Sequence, residues 1–159
     1  MQNKEIYKKS IEQINANEEL KLGPNITDWP SMSELTEDVM LKVVSVIEDP
    51  VTTTDELIPS GETSSYRSNP LRLSEFALSR REPQYVPRAK AVAAEEAKRR
   101  ADNSSEEVIN ILSKVCANPE ETAKATQFGS CVFARRPGDG SAREQAASCQ
   151  KVLGGFANI

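Results

Sequence analysis

The chain has 159 residues, 20 of them basic and 24 acidic, for a net charge of −4, and it contains no histidine. That length accommodates one domain with a real core, which must be mainly aliphatic because aromatics are only 5%. The charge balance offers nucleic acid and anionic membrane no electrostatic attraction, and without histidine neither Ser–His or Cys–His catalysis nor a His-ligated metal can be built from this chain alone.

No apolar run approaches the roughly 20 residues that span a bilayer. The opening MQNKEIYKKSIEQI lacks an apolar signal region, so a cytoplasmic protein is expected. Cys116, Cys131 and Cys149 are odd in number, widely spaced and without a CxxC pair. A disulfide framework and a self-contained zinc or iron–sulfur site are therefore not expected, and no metal ligands are assigned. The three read as reduced thiols, with Cys149 on a helix face.

In chain order, residues 4–16 suggest a polar amphipathic helix with Ile6, Ile11 and Ile14 on one side. LGPNITDWPSMSEL is rich in Pro, Asn and Ser and should run extended over a surface, anchored by Trp29. LKVVSVIED, Leu41 to Asp49, is the clearest strand, β-branched and closed by Pro50. TTTDELIPSGETSSYRSNP, crowded with hydroxyls and turn residues, reads as loop. After Pro70 the pattern turns helical. Leu71, Leu73, Phe76 and Leu78 form a short apolar segment, and a helix is predicted from about Pro87 with Glu95–Arg99 and Glu96–Arg100 at i,i+4 spacing. Lys98, Arg99 and Arg100 read as a solvated face. A further helix is expected at Ser104, with Ser104 and Glu107 as a capping box and Val108, Ile111, Leu112 and Val115 on one face. GSCVFA, 129–134, reads as a buried strand leading through RRPGDG into a helix from about Ser141 to Leu153, stopped by Gly154–Gly155. FANI has strand character. Strands mixed with helices predict an α/β or α+β domain with a sheet of modest size.

Two stretches carry possible chemistry. In PGDGSAREQAA, residues 137–147, a strand passes through a glycine turn into a helix, a geometry that points backbone N–H groups at an anion above Ser141. A serine acts as a base only if aligned donors stabilise its oxyanion, and Arg143 adds a fork-shaped donor for a carboxylate. Ser141 with Glu144 is also an ordinary capping box and Gly140 an ordinary turn residue, and on local sequence alone that ordinary reading leads. Arg135–Arg136 precedes the turn, and its ordinary reading leads. The second stretch, residues 51–70, holds Asp55, several hydroxyls and Arg67 after a strand, where an acid and a guanidinium can surround a polyanion. By itself it is better read as a solvated turn-rich loop.

Together the two stretches resemble the C-terminal swivel domain of the aconitase superfamily. Thr53-Thr54-Asp55 resembles that family's strand-following Thr-Thr-Asp element, and Arg67 stands twelve residues beyond Asp55, as its substrate arginine does. Gly138-Asp139-Gly140-Ser141-Ala142-Arg143-Glu144 resembles its serine motif opening a helix, and Leu153-Gly154-Gly155 its closing turn. IPSGETSSYRSNPLRLSEFALSRR is similar, more narrowly, to a bacterial aconitase-like hydratase branch. The resemblance covers roughly residues 24–159, leaving 1–23 as a linker or N-terminal extension, and implies a small mixed sheet with flanking helices whose fold continues past Ile159. It implies an enzyme activity, a hydro-lyase acting on a hydroxy di- or tricarboxylic acid. Ser141 would be the base, with Asp55 orienting groups or handling protons, and Arg67, Arg143 and Gly140 would bind substrate. It also implies a [4Fe–4S] cluster with no ligands in this chain, held by cluster-bearing domains of the same enzyme or by a large subunit, so the isolated chain is expected to be inactive. Glu56 stands where the family often has histidine, and Ala142 replaces a second serine; both leave the substrate open. Two alternatives are a separate small subunit of an isopropylmalate isomerase-type enzyme, suggested by TTTDELIPSG, and a non-catalytic carboxylate-binding module.

Overall fold

The computed structural model describes residues 2–13, 17, 19 and 21–159. Helix α1 spans Gln2–Glu12, and every described side chain from Lys4 to Gln13 is exposed. Ile14, expected on its apolar side, lies outside the described residues. Residues 21–37 contain no helix or strand, as the Pro- and Ser-rich sequence predicts.

Three parallel strands form the main sheet in the order β1 (Asp38–Ile47), β3 (Thr126–Ala134) and β5 (Gly155–Asn158). The mixed sheet expected from the resemblance is not what forms, because each return in this sheet is made through helical crossovers that restore the strand direction. β1 starts three residues earlier than its β-branched run suggests. β3 likewise begins at Thr126 rather than at residue 129, because paired backbone carries both strands past their apolar cores. With the three parallel strands in chain order, crossovers of one hand gather the helices on one face. Accordingly α5 (Tyr85–Arg100) and α8 (Arg143–Val152) share one core, in which Tyr85, Ala89, Cys149 and Leu153 meet Val44, Ile47, Val132 and Ala134. Val39, Leu41, Val43, Val46 and Phe133 of β1 and β3 stay exposed. A satellite core joins Phe128 of β3 to Val108 and Leu112 of α6 (Glu106–Leu112) and Ala123 of α7 (Pro119–Ala125).

The turn-rich stretch 51–70 is not a solvated loop. It folds into β2 (Thr52–Thr53), α2 (Thr54–Leu57), α3 (Ser60–Thr63) and a 3₁₀ turn (Ser64–Tyr66), and runs on into α4 (Pro70–Ser74), capped by Asn69. Leu57, Ile58, Thr63 and Leu73 are buried there, so tertiary burial overrides composition. β2 pairs in parallel with β4 (Pro137–Asp139) to make a second, two-stranded sheet.

The basic end of α5 also departs from expectation. Glu96 is 5% exposed and accepts the Phe128 backbone N–H at 2.9 Å and the Arg99 guanidinium at 2.7 Å through both oxygens. Arg99 reaches on to the Lys124 carbonyl at 2.7 Å. Glu96 and Arg99 therefore clamp α5 to β3 and α7 instead of facing solvent. The observed partners are Glu95–Lys98 and Glu96–Arg99 at i,i+3, with Glu96–Arg100 at i,i+4. In α6 the cap is Ser105, whose hydroxyl accepts the Val108 N–H at 3.5 Å, one residue later than the predicted Ser104.

Candidate functional site

The two chemistry-bearing stretches meet through the β2–β4 pair, in which Thr52 faces Pro137 and Thr53 faces Asp139. The contact is closest where α2 starts. Gly140 has φ +145°, and a Cβ built on it would overlap Thr54 Oγ1 and come within 3.2 Å of Thr54 Cβ. Only glycine permits both that backbone and that approach. Thr54 itself is buried, so the Thr-Thr-Asp element is pressed against the residue preceding Ser141. Sequence places Thr54 in the Thr53-Thr54-Asp55 motif but assigns it no role: a threonine in a hydroxyl-rich stretch carries no local mark of such a contact.

Ser141 is exposed, in the bend between β4 and α8. The Ser141–Glu144 capping box does not form. The helix begins at Arg143 with Ala142 as N-cap, and no side chain caps it. The first amide N–H groups of α8 are thus not taken up by a side-chain cap, and the helix N-terminus is electropositive. Arg143 is exposed, and its Nε–H donates to the Gly140 carbonyl at 2.8 Å, bracing the turn that carries Ser141.

Asp55 is committed locally. Its Oδ1 accepts the backbone N–H and hydroxyl of Ser60 at 2.9 and 2.7 Å, and its Oδ2 lies 3.4 Å from Arg80 Nη1. The hydrogen bonds from the Ser60 backbone and hydroxyl, together with the Arg80 charge, hold its carboxyl below the usual range. Glu56, read from sequence as a departure from a family histidine, completes a capping box. The Thr53 N–H and hydroxyl donate to Glu56 Oε2 at 2.7 and 2.8 Å, and the Glu56 N–H donates to Thr53 Oγ1 at 3.2 Å. The T-x-x-E spacing of Thr53 and Glu56 was a legible signal for it.

Arg67 follows the 3₁₀ turn, whose Tyr66 ring stacks on Phe76 at 5.7 Å between centroids. It lines a cleft of about 160 Å³ against α8 with Trp29, Glu144, Gln145, Ser148 and Cys149. The fold thus brings Arg67 to the helix that Ser141 precedes, while Ser141, Gly140, Arg143 and Asp55 are not among the residues lining this cleft. Trp29, Glu144 and Ser148 are cleft residues that sequence reasoning did not propose. A larger apolar groove of about 320 Å³ between β1, α5 and α6 holds none of the motif residues.

No model of a known protein family matches this chain, and no curated protein or solved structure matches it either.

Cys131 and Cys149 are buried and Cys116 is partly exposed, and burial pushes the Cys149 thiol up to about 12. Among the described residues no helix is long and apolar enough to cross a membrane.

Proposed function

We propose that this chain is the swivel-domain part of an aconitase-like hydro-lyase that dehydrates and rehydrates a hydroxy polycarboxylic acid. The observation that supports this reading is the β2–β4 pairing with its Gly140–Thr54 contact. Two sequence motifs more than eighty residues apart are brought into contact there, in the combination that makes either motif specific. In this reading Ser141, as an alkoxide beside the α8 N-terminus, takes the proton from the carbon next to a carboxylate, and the hydroxyl on the adjoining carbon departs as the double bond forms. Amide dipoles stabilise the alkoxide, and the departing hydroxyl is handled outside this chain. Arg67 holds a carboxylate by a bidentate contact. Arg143 braces the serine turn through Gly140 and presents its guanidinium to a second carboxylate. Asp55, with both oxygens engaged, orients the α3 turn that leads to Arg67.

The test is an anaerobic assay of alkene formation from citrate, isocitrate and isopropylmalate. It compares this chain alone, cluster-bearing domains of the same enzyme alone, and the two together. Turnover is expected only in the mixture and is lost with Ser141→Ala. Full turnover with Ser141→Ala, or with the chain omitted, sinks the reading.

A further inference from the structure

Trp29, the chain's one tryptophan, is 54% exposed beside Arg67 in the cleft against α8. A large aromatic left half in solvent on the wall of a cleft offers apolar area at little conformational cost. The segment that carries it is tied on both sides. The Thr27 N–H donates to the carbonyl of Ser68, next to Arg67, at 2.9 Å. Farther along, Gln127 donates from its side-chain amide to Ser33 Oγ at 2.8 Å and from its backbone to Thr36 Oγ1 at 3.0 Å. Gln127 is completely buried in β3, so this second tether is rooted in the sheet. The indole is therefore presented to the Arg67 side of the cleft by a strap of fixed course. Across the cleft stand Glu144, Gln145 and Ser148 of α8. The Glu144 charge confines a ligand carboxylate to the Arg67 end. A space of about 160 Å³ admits one small acid and is well below the size of drug-sized ligand pockets.

We propose that Trp29 is a substrate-binding wall of this cleft, its ring packing on the carbon skeleton of a small carboxylic acid whose carboxylate sits on Arg67. This deepens the function proposed above and rests on its assignment of Arg67 as the carboxylate group. Trp29 would thus set which acids fit, by contact with the part of the ligand that Arg67 does not read.

Calorimetric titration of citrate into the full chain, with Trp29 emission followed in parallel, tests the two assignments separately. Binding is expected in the wild type with a shift in emission. It should be abolished by Arg67→Ala, weakened about tenfold by Trp29→Leu and largely kept by Trp29→Phe. Thermal unfolding of each variant confirms that it is folded. Citrate binding that Arg67→Ala removes, with unmoved emission and a wild-type Kd in Trp29→Leu, overturns the Trp29 wall and leaves the Arg67 assignment standing. No heat from the wild type, or heat that Arg67→Ala leaves unchanged, overturns the Arg67 assignment and the wall with it.

Discussion

Substituting Gly140 by alanine tests the contact on which the functional reading rests. At φ +145° an L-residue is strained whatever the space, at a cost of about 1–3 kcal/mol. The added methyl also overlaps Thr54 Oγ1 and lies 3.2 and 3.3 Å from Thr54 Cβ and Cγ2. Thr54 is only 6% exposed and cannot swing into solvent, so a further overpacking cost of about 1–3 kcal/mol applies. A total near 3 kcal/mol corresponds to a fall in Tm of about 6–12 °C for a chain of this size. Thr54→Ala removes the hydroxyl and Cγ2 but leaves the backbone strain, so it should recover about 1–2 kcal/mol in the Gly140→Ala background. Thermal and urea unfolding of the two single variants and the double variant close the cycle. A Gly140→Ala cost below about 0.5 kcal/mol, or strict additivity with Thr54→Ala, would refute the claim that the two motifs are pressed together.

The further predictions concern Glu96 and the cysteines. Glu96→Ala strands Arg99 and the Phe128 N–H and should cost about 3–5 kcal/mol, whereas Glu95→Ala, which loses a partly exposed pair with Lys98 and a hydrogen bond with Ser105, should cost about 1 kcal/mol or less. Burial by itself raises the Glu96 carboxyl, but the Arg99 and Phe128 hydrogen bonds and the Arg99 and Arg100 charges outweigh it and hold the group below its ordinary 4.5. Its contribution is therefore full above pH 4.5 and is lost as pH falls through the lowered value, so acid unfolding of Glu96→Gln should be less steep than that of the wild type. Burial raises the Cys149 thiol from 9.0 to about 12, so its contribution to stability is full below pH 9 and is lost as pH rises towards 12. At pH 8 its thiolate population in the folded chain is therefore far below that of an ordinary thiol. Iodoacetamide should modify the partly exposed Cys116 first; equal rates for Cys116 and Cys149 would contradict the packing.

Much of the secondary structure was legible before the fold. The β-branched runs of β1 and β3, the helical period of α5 and the stop of α8 at Gly154, which takes φ +79°, follow from local sterics and periodicity. What local pattern misjudged was what burial and pairing decide. Composition marks residues 51–70 as loop, but Leu57, Ile58 and Thr63 gain more by entering the core than the turn residues lose in short helical turns. Ser141 and Glu144 have capping-box spacing, yet the β4 turn delays the helix start to Arg143, while the same spacing in Thr53 and Glu56 does close a box.

The sequence by itself determined the longer strands and helices, β1, β3, α5 and α8, that the core is aliphatic, and which residue types are available for chemistry. All of these depend on side chains within a few positions of one another. The tertiary structure alone decided that Glu96 is a buried clamp while neighbouring Glu95 stays partly exposed, that Gly140 lies against Thr54, and that Trp29 and Arg67 share a cleft with α8. Those contacts join residues some 30 to 120 positions apart. They arise from the course of the chain through a packed core, which no local period records.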